Sequence, residues 1–383
     1  MRQVPLQPIF TKAKKMLRLV SIFSITIGFQ ALLSFLPVDQ SKSAINNFSD
    51  TIHFEGEDHF KNVRQLTFGG DNAEAYFSFD GKYLIYQKSN VKEGISCDQI
   101  WMGKIPTQPG EKFKPKLVST GMGRTTCAFF YPNGKEFVYG STHLGSKECP
   151  PVPNREKYGN KYIWPVYESF DIFLADTSGK IKKRLTKTPG YDAEATVSPK
   201  GNRMVFTSMR NGDLDLYTMD LKGKNIKRIT TALGYDGGAW FNADGTKIIW
   251  RASRPKTEAE VKEYKELLAE NLVAPTNMEV WMANADGSDA RQVTNLSQAN
   301  WAPNFTPIKD KFIFCSNHEY KRGFPFNMYL ANMDGSDITK ISRDKGFDAF
   351  PMFSPNGTKI VFGSNRNNKG TRDTNLFIAD WVN

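Results

Sequence analysis

One unit of four short segments recurs six times between about residue 62 and the C-terminus, and the two chain ends divide the last copy between them. The stretch from Asp192 to Thr230 shows it plainly: DAEATVSPKG, then NRMVFTSMR, LDLYTMD and NIKRIT. Each segment is β-branched or aromatic and bounded by Gly, Pro, Asn or Asp, the pattern of four strands joined by turns. The first turn returns as Asp80-Gly81, Asn133-Gly134, Lys200-Gly201, Asp244-Gly245 and Asn356-Gly357, with Lys309-Asp310 as a degenerate copy. Such dipeptides supply the positive φ of a tight hairpin. The second segment returns as YLIYQKS, FVYGST, MVFTSM, IIWRAS, FIFCSN and IVFGSN. The third returns as DQIWMGK, FDIFLAD, LDLYTMD, MEVWMAN, FNMYLAN and TNLFIAD.

Only five fourth segments follow: KLVST, KRLT, KRIT, RQVT and TKIS. The sixth stands at the other end, as Arg64-Gln65-Leu66-Thr67, while the chain stops at Trp381-Val382-Asn383 with no room for one. An N-terminal strand that completes the last unit closes a ring and hides the edges an open array would expose. A solenoid has no such need for complementary ends. The expected fold is therefore all-β, a six-bladed β-propeller closed by its N-terminal strand over residues 62–383.

The repeats resemble those of the TolB-like family of six-bladed propellers. The shared pattern is an R-x-L-T strand, then D-x-x-P-x-F-S-P-x-G, I-x-F-x-S-x-R and D-I-Y-x-M-x-x-D-G. It is clearest at Asp348 to Arg366, Asp192 to Asp220 and Met278 to Thr294. The resemblance implies the fold firmly and function weakly, because one propeller scaffold hosts unrelated activities. TolB itself carries an α/β domain before its propeller; here only about 20 residues intervene between the apolar segment and the repeats, so roles of that domain do not transfer.

Residues 1–43 read as an export segment. The run Leu19 to Leu36 is apolar and uncharged, and Lys14, Lys15 and Arg18 precede it. A positive flank before an apolar core marks a secretory signal, and the run is also just long enough to span a bilayer. A signal cleaved near Ser41, Ser43 or Ala44 and a retained anchor over residues 19–36 both fit. Either places the folded part outside the cytoplasm, in a periplasm or a comparable compartment, with residues 44–61 as linker. Four cysteines suit that setting. Cys97, Cys127 and Cys149 fall on one face in adjacent blades and are the disulfide candidates, whereas Cys315 sits in an apolar strand as a buried thiol.

The formal charge of +11 invites a nucleic-acid reading. Arg2, Lys12, Lys14, Lys15, Arg18 and Lys42 of the export segment, against only Asp39, carry much of it. The rest reads as scattered over strand ends, without the basic stripe and interleaved aromatics of a nucleic-acid surface. No nucleic-acid partner is expected, and membrane contact only through the N-terminal segment.

In a propeller the loops entering each first strand and those joining second to third strands open on one face, and this chain's irregularity lies there. Aligning the first strands gives a polar position at the start of each: Asn72, Thr125, Asp192, Asp236, Asn300 and Asp348. Around a channel mouth these carboxylates and amides suit a hard cation, Ca²⁺ through Asp192, Asp236 and Asp348, or cationic groups of a partner; as ordinary Asx residues they cap their own turns. Glu194 and Trp301 would line the same mouth. His143, Arg210, Arg251, Arg254, His318 and Arg366 end second strands and suit pairing with that ring. Arg251 and Arg254, in WRASRP, are singled out as two guanidinium groups fit to grip a carboxylate or phosphate.

Two insertions mark the same face. Residues 143–170 of blade 2 are rich in Pro, Tyr and Trp, the composition of a partner loop or a lid. Within residues 254–277 of blade 4, Thr257 with Glu260 forms a capping box, and Val261, Tyr264, Leu267 and Leu268 form a helical apolar stripe. G-x-S-x-G, H-E-x-x-H, G-x-x-x-x-G-K and paired C-x-x-C motifs are absent. The leading expectation is a non-catalytic propeller of the cell envelope, without cofactor, that binds another envelope protein or a peptide through this face. A Ca-dependent, lactonase-like hydrolase with its site at the channel mouth is the alternative.

Overall fold

Every blade repeats the same solution: a first strand on the channel, a β-branched and aromatic second strand, a third, and a short outer fourth, all antiparallel. The computed structural model describes residues 52–383, apart from residues 109, 160 and 322. The expected export segment, residues 1–43, and the start of the expected linker lie outside the described residues. Blade 1 comprises Asp71–Phe77, Tyr83–Asn90, Ile95–Lys104 and Lys116–Leu117. Blade 2 comprises Thr125–Phe130, Glu136–Ser141, Asp171–Asp176 and Ile181–Arg184. Blade 3 comprises Asp192–Val197, Met204–Ser208, Asp215–Met219 and Lys227–Arg228. Blade 4 comprises Asp236–Phe241, Lys247–Ala252, Glu279–Asn284 and Arg291–Gln292. Blade 5 comprises Asn300–Phe305, Lys311–Ser316, Asn327–Asn332 and Thr339–Lys340.

Blade 6 joins Asp348–Phe353, Lys359–Ser364 and Asn375–Trp381 to the N-terminal strand Phe60–Gln65, which pairs antiparallel with Asn375–Trp381. Side chains reinforce the pairing. In blade 3 the fourth-strand Thr230 hydroxyl accepts from the backbone N–H of Leu216, and Thr186 and Thr294 do the same for Ile172 and Val280. In blade 6 Thr67 accepts from Leu376 at 2.9 Å. The N-terminal residue thus fills the position that the repeat assigns to its fourth strand.

Second strands such as Leu84-Ile85-Tyr86 and Phe312-Ile313-Phe314 are buried at every position, because blades pack face to face and cover both sides. Trp250, Tyr86 and Tyr139 are among the largest of these buried side chains.

The linker is partly built into the ring. Ile52 is buried, and the Glu57 carboxylate accepts from both terminal nitrogens of Arg366 and from the backbone N–H of Arg343. His59 stacks on Trp381 at 4.8 Å. The buried Arg366 draws Glu57 in, whereas His53, Glu55 and Asp58 stay exposed. Among the described residues no helix is long and apolar enough to cross a membrane.

Candidate functional site

The channel owes its lining to a bulge repeated in all six first strands. Register with the second strand slips between Ala73 and Tyr76, and at the matching positions of every other blade. One residue in each bulge adopts left-handed backbone: Glu74, Cys127, Glu194, Gly238, Ala302 and Phe350, with φ of 52°, 46°, 58°, 61°, 47° and 56°. For the five that are not glycine this costs about 1 kcal/mol each. Such strain gathers where structure re-aims side chains for a purpose.

At this level Glu74, Cys127, Glu194 and Arg251 form one polar cluster. The Cys127 thiol donates to Glu74 Oε2 at 2.8 Å, and the Tyr76 hydroxyl donates to the same oxygen at 3.1 Å. Glu194 accepts from Tyr191, from Tyr235 and from Arg251 Nη2 at 3.1 Å. The Arg251 guanidinium occupies the space a Cβ on Gly238 would take, 2.1 Å from its Nη1, so this blade needs glycine at its bulge. Burial pushes the Glu74 carboxyl above its usual range, with Cys127 and Arg251 opposing. Burial also pushes the Cys127 thiol well up, and neighbouring Glu74 adds to this, so the sulfur is a protonated donor and no nucleophile.

Two residues further along, an aromatic plug fills the channel. Trp240 lies 4.7 Å from Tyr76 and 5.2 Å from Phe129, ring to ring. First strands neighbour one another in chain order around the ring, so blades 1 and 4 stand opposite, and their contact closes the passage.

The two insertions meet above the cluster. Trp164–Pro165 of blade 2 pairs antiparallel with Leu272–Val273 of blade 4, and Val166 donates its N–H to Asn271 at 2.7 Å. Trp164 and Tyr162 reach Trp301 of blade 5, with ring separations of 5.2 and 6.0 Å. Blades 2 and 5 are also opposite, so the blade 2 insertion crosses the channel mouth as a lid. Trp164 rests over the Arg251 guanidinium at 5.2 Å.

The lid is held at several points. The helix Glu258–Ala269 starts at the Thr257–Glu260 capping box and buries Tyr264, Leu267 and Leu268; Val261 stays partly exposed. Tyr264 donates to the buried Asp213 at 2.5 Å. Leu267, Leu272 and Ile163 share a small core, and ion pairs join Lys157 to Glu270 and Lys161 to Glu263. The helical stripe is therefore consumed in holding the lid. A disulfide joins Cys97 to Cys149 and ties the insertion to blade 1. Cys127, the third candidate, is a free thiol, because its bulge turns it into the channel and away from the insertion. Cys315 is a free buried thiol.

The residues expected to ring the mouth are instead buried between blades, each at 1 % exposure or less: Asn72, Thr125, Asp192, Asp236, Asn300 and Asp348. Asn72 and Asn300 donate to backbone carbonyls of the turns beside them. Asp192 accepts from Arg210, Asp236 from Arg254 and Trp250, and Asp348 from Arg366. Burial raises the Asp236 carboxyl to about 6 despite its arginine. The three aspartates thus face three separate arginines and do not converge. Among the described residues, no group of three or more His, Cys, Asp or Glu is placed to hold a metal. Arg251 and Arg254 likewise do not share an anion site: one enters the channel toward Glu194, the other caps Asp236 and stacks on Trp281 at 4.8 Å. Trp301 is buried and donates to the carbonyl of Pro275 at 2.9 Å.

Sequence reasoning named Glu194, Arg251 and Trp301 but missed Glu74, Cys127 and Trp164 as their partners. The signal available was positional, since Glu74, Cys127 and Glu194 each stand two residues after the aligned polar position.

The sequence profile of the TolB beta propeller domain matches residues 166–271. No curated protein matches the chain significantly. Among solved structures, a putative TolB from Agrobacterium tumefaciens superposes with a TM-score of 0.51 at 18 % identity, covering 82 % of this chain and 91 % of that one. TolB from Acinetobacter baumannii gives a TM-score of 0.48 at 17 % identity, covering 81 % of this chain and 63 % of that one. An oligogalacturonate lyase from Vibrio parahaemolyticus gives 0.48 at 12 % identity, covering 83 % and 93 %. The architecture is that of a TolB-like six-bladed propeller.

Proposed function

We propose that this TolB-like propeller is a non-catalytic binding module of an exported compartment, and that it captures a protein or peptide on the face that carries the lid. One observation supports this reading above others. Of the ten large apolar side chains exposed among the described residues, Phe68, Val91, Leu144, Val152, Tyr162, Leu233 and Phe324 all lie in loops of that face. Singly exposed apolar residues are ordinary on any surface, but a bias toward one face marks a contact surface. The lid itself presents Leu144, Val152 and Tyr162, and Val152 is 74 % exposed. The Cys97–Cys149 disulfide favours an oxidising compartment.

The internal cluster supports binding over catalysis for the same site. Its carboxylates are engaged by Cys127, Tyr76, Tyr191, Tyr235 and Arg251, and the lid covers Arg251. The triple variant L144D/V152D/F324D tests the reading. It should keep the wild-type melting temperature within about 2 °C, since surface substitutions shift stability little. It should also lose the partner that wild-type protein recovers from an envelope extract. Recovery of the same partner by the triple variant would place the binding surface elsewhere.

A further inference from the structure

The end of the propeller opposite the lid is electrostatically divided. There each of blades 1–5 turns from its third strand into its fourth. In blade 1 this turn brings Lys112, Lys114 and Lys116. In blade 2 it brings Lys180, Lys182 and Lys183, and in blade 3 Lys222, Lys224 and Lys227. All nine are exposed. The equivalent turns of blades 4 and 5 read Asp-Gly-Ser-Asp, with Asp286 and Asp289, then Asp334 and Asp337. The sequence alone shows lysines scattered through the chain; the ring brings three blades of them side by side.

The three turns are contiguous. Gly223 of blade 3 tucks so close to blade 2 that a Cβ would meet the Leu185 carbonyl oxygen at 2.7 Å. Gly179 of blade 2 lies likewise against Val118 of blade 1. Lys183 bridges two blades by donating to the Lys222 carbonyl at 2.6 Å. Of the acids at these turns, Asp176, Asp220 and Glu111 accept from their own turns' N–H groups, and Glu136 pairs with Lys182 at 2.6 Å, which leaves the other eight lysines without an ion pair among the described residues.

A second observation narrows the partner. The three exposed large apolar residues that are not on the lid face are Tyr83, Leu117 and Ile226. Each stands next to a lysine of this basic half: Lys82, Lys116 and Lys227. Cationic heads interspersed with apolar side chains are the composition of a surface that meets a lipid interface. The cations are lysines, point charges on flexible stems, without the planar fork that selects one carboxylate or phosphate. That suits an extended field of mobile anionic headgroups rather than a single bound anion.

We propose that the basic end of blades 1–3 docks on an anionic lipid bilayer, leaving the lid face directed away from it. The test is co-sedimentation of the full-length protein with phosphatidylcholine vesicles, with and without phosphatidylglycerol. The patch variant K222E/K224E/K227E is compared with a charge-matched control on the lid face, K187E/K345E/K369E, after both are shown to melt as wild type does. Each surface lysine contributes roughly fivefold to partitioning on anionic lipid, so three reversals should lower it roughly 100-fold or more, and the control should stay near wild type. Binding should fade in about 0.5 M salt. Patch-variant partitioning equal to wild type would assign membrane contact to the N-terminal segment and overturn the proposal, as would equal wild-type binding to neutral vesicles. Acetylation footprinting on anionic vesicles gives a second readout: Lys222, Lys224 and Lys227 should be protected while Lys345 on the lid face is not, and uniform modification would count against docking at this end.

Discussion

Trp164 and Trp301 lie 5.2 Å apart although they come from opposite blades of the ring. The contact exists only because the blade 2 insertion crosses the channel mouth, where it is caught by the blade 4 insertion. It turns two irregular loops into one cover over the Arg251–Glu194 pair.

Removing that contact should loosen the cover before it harms the ring. Trp164→Ala takes away the ring that packs on Trp301, Tyr235 and Arg251. A loss of about 1–3 kcal/mol is expected, below the cost of a fully buried tryptophan because Trp164 is partly exposed. Limited proteolysis should cut within residues 143–170 much faster than in wild type, and far-ultraviolet circular dichroism should be unchanged. Reduction of Cys97–Cys149 should act in the same direction, since it frees the other end of the insertion.

Arg251→Met should be among the most damaging single changes in the channel. It leaves the Glu194 carboxylate buried with only tyrosine donors. Stranding one partner of a buried ion pair costs about 3–5 kcal/mol. Glu194→Gln placed on top should recover a large part of that, because the unpaired charge is gone. Denaturant melts of the two single variants and the double variant give the coupling directly; additive losses would mean that the pair is solvated.

Asp236 gives the fold a pH signature. Its carboxyl is raised to about 6, first by burial, against 3.8 for the ordinary group. The folded chain therefore holds a proton that the unfolded chain releases. The stability this contributes is complete below pH 3.8 and fades as the pH rises through 6. From pH 5 to pH 7.5 wild type should lose about 1 kcal/mol that Asp236→Asn does not lose. Thermal melts of both proteins at the two pH values check the difference; a parallel response would show that Asp236 titrates normally.

Thr67→Val should loosen the closure of blade 6. It removes the acceptor for the Leu376 N–H and the hydroxyl's contact with Asn375. About 1–2 kcal/mol is expected for the buried groups left unpaired. Hydrogen exchange should speed up at Leu376 and along Phe60–Gln65 before it does in blades 2–4. The matching change Thr230→Val in blade 3 should cost a similar amount without affecting exchange in blade 6.

The blades were legible because their signals are local. Turn dipeptides such as Asp80-Gly81, the apolar second strands and the Thr257–Glu260 capping box each lie within a few residues of what they control. The channel was legible only in part. Aligning the first strands at Asn72 and its counterparts places the polar ring at the mouth, but these side chains turn into the seams between blades, and the bulge at Glu74 turns the positions two residues on into the channel. The lid and the basic end depend on residues far apart in sequence: Trp164 with Leu272 to Val273, and Lys116 with Lys183 and Lys222. Such proximities follow from ring closure, which no local pattern encodes.

The pairing of Phe60–Gln65 with Asn375–Trp381 also sets a timetable. Phe60–Gln65 has no partner until Asn375–Trp381 has been made, about 300 residues later. Blades 1–5 hold all their own strands and are free to form during synthesis, but the ring cannot shut until Asn375–Trp381 has left the ribosome. Until then Phe60–Gln65 and the outer edge of Asn375–Trp381 both stay unpaired, so the open ring carries two exposed strand edges that closure removes in one step.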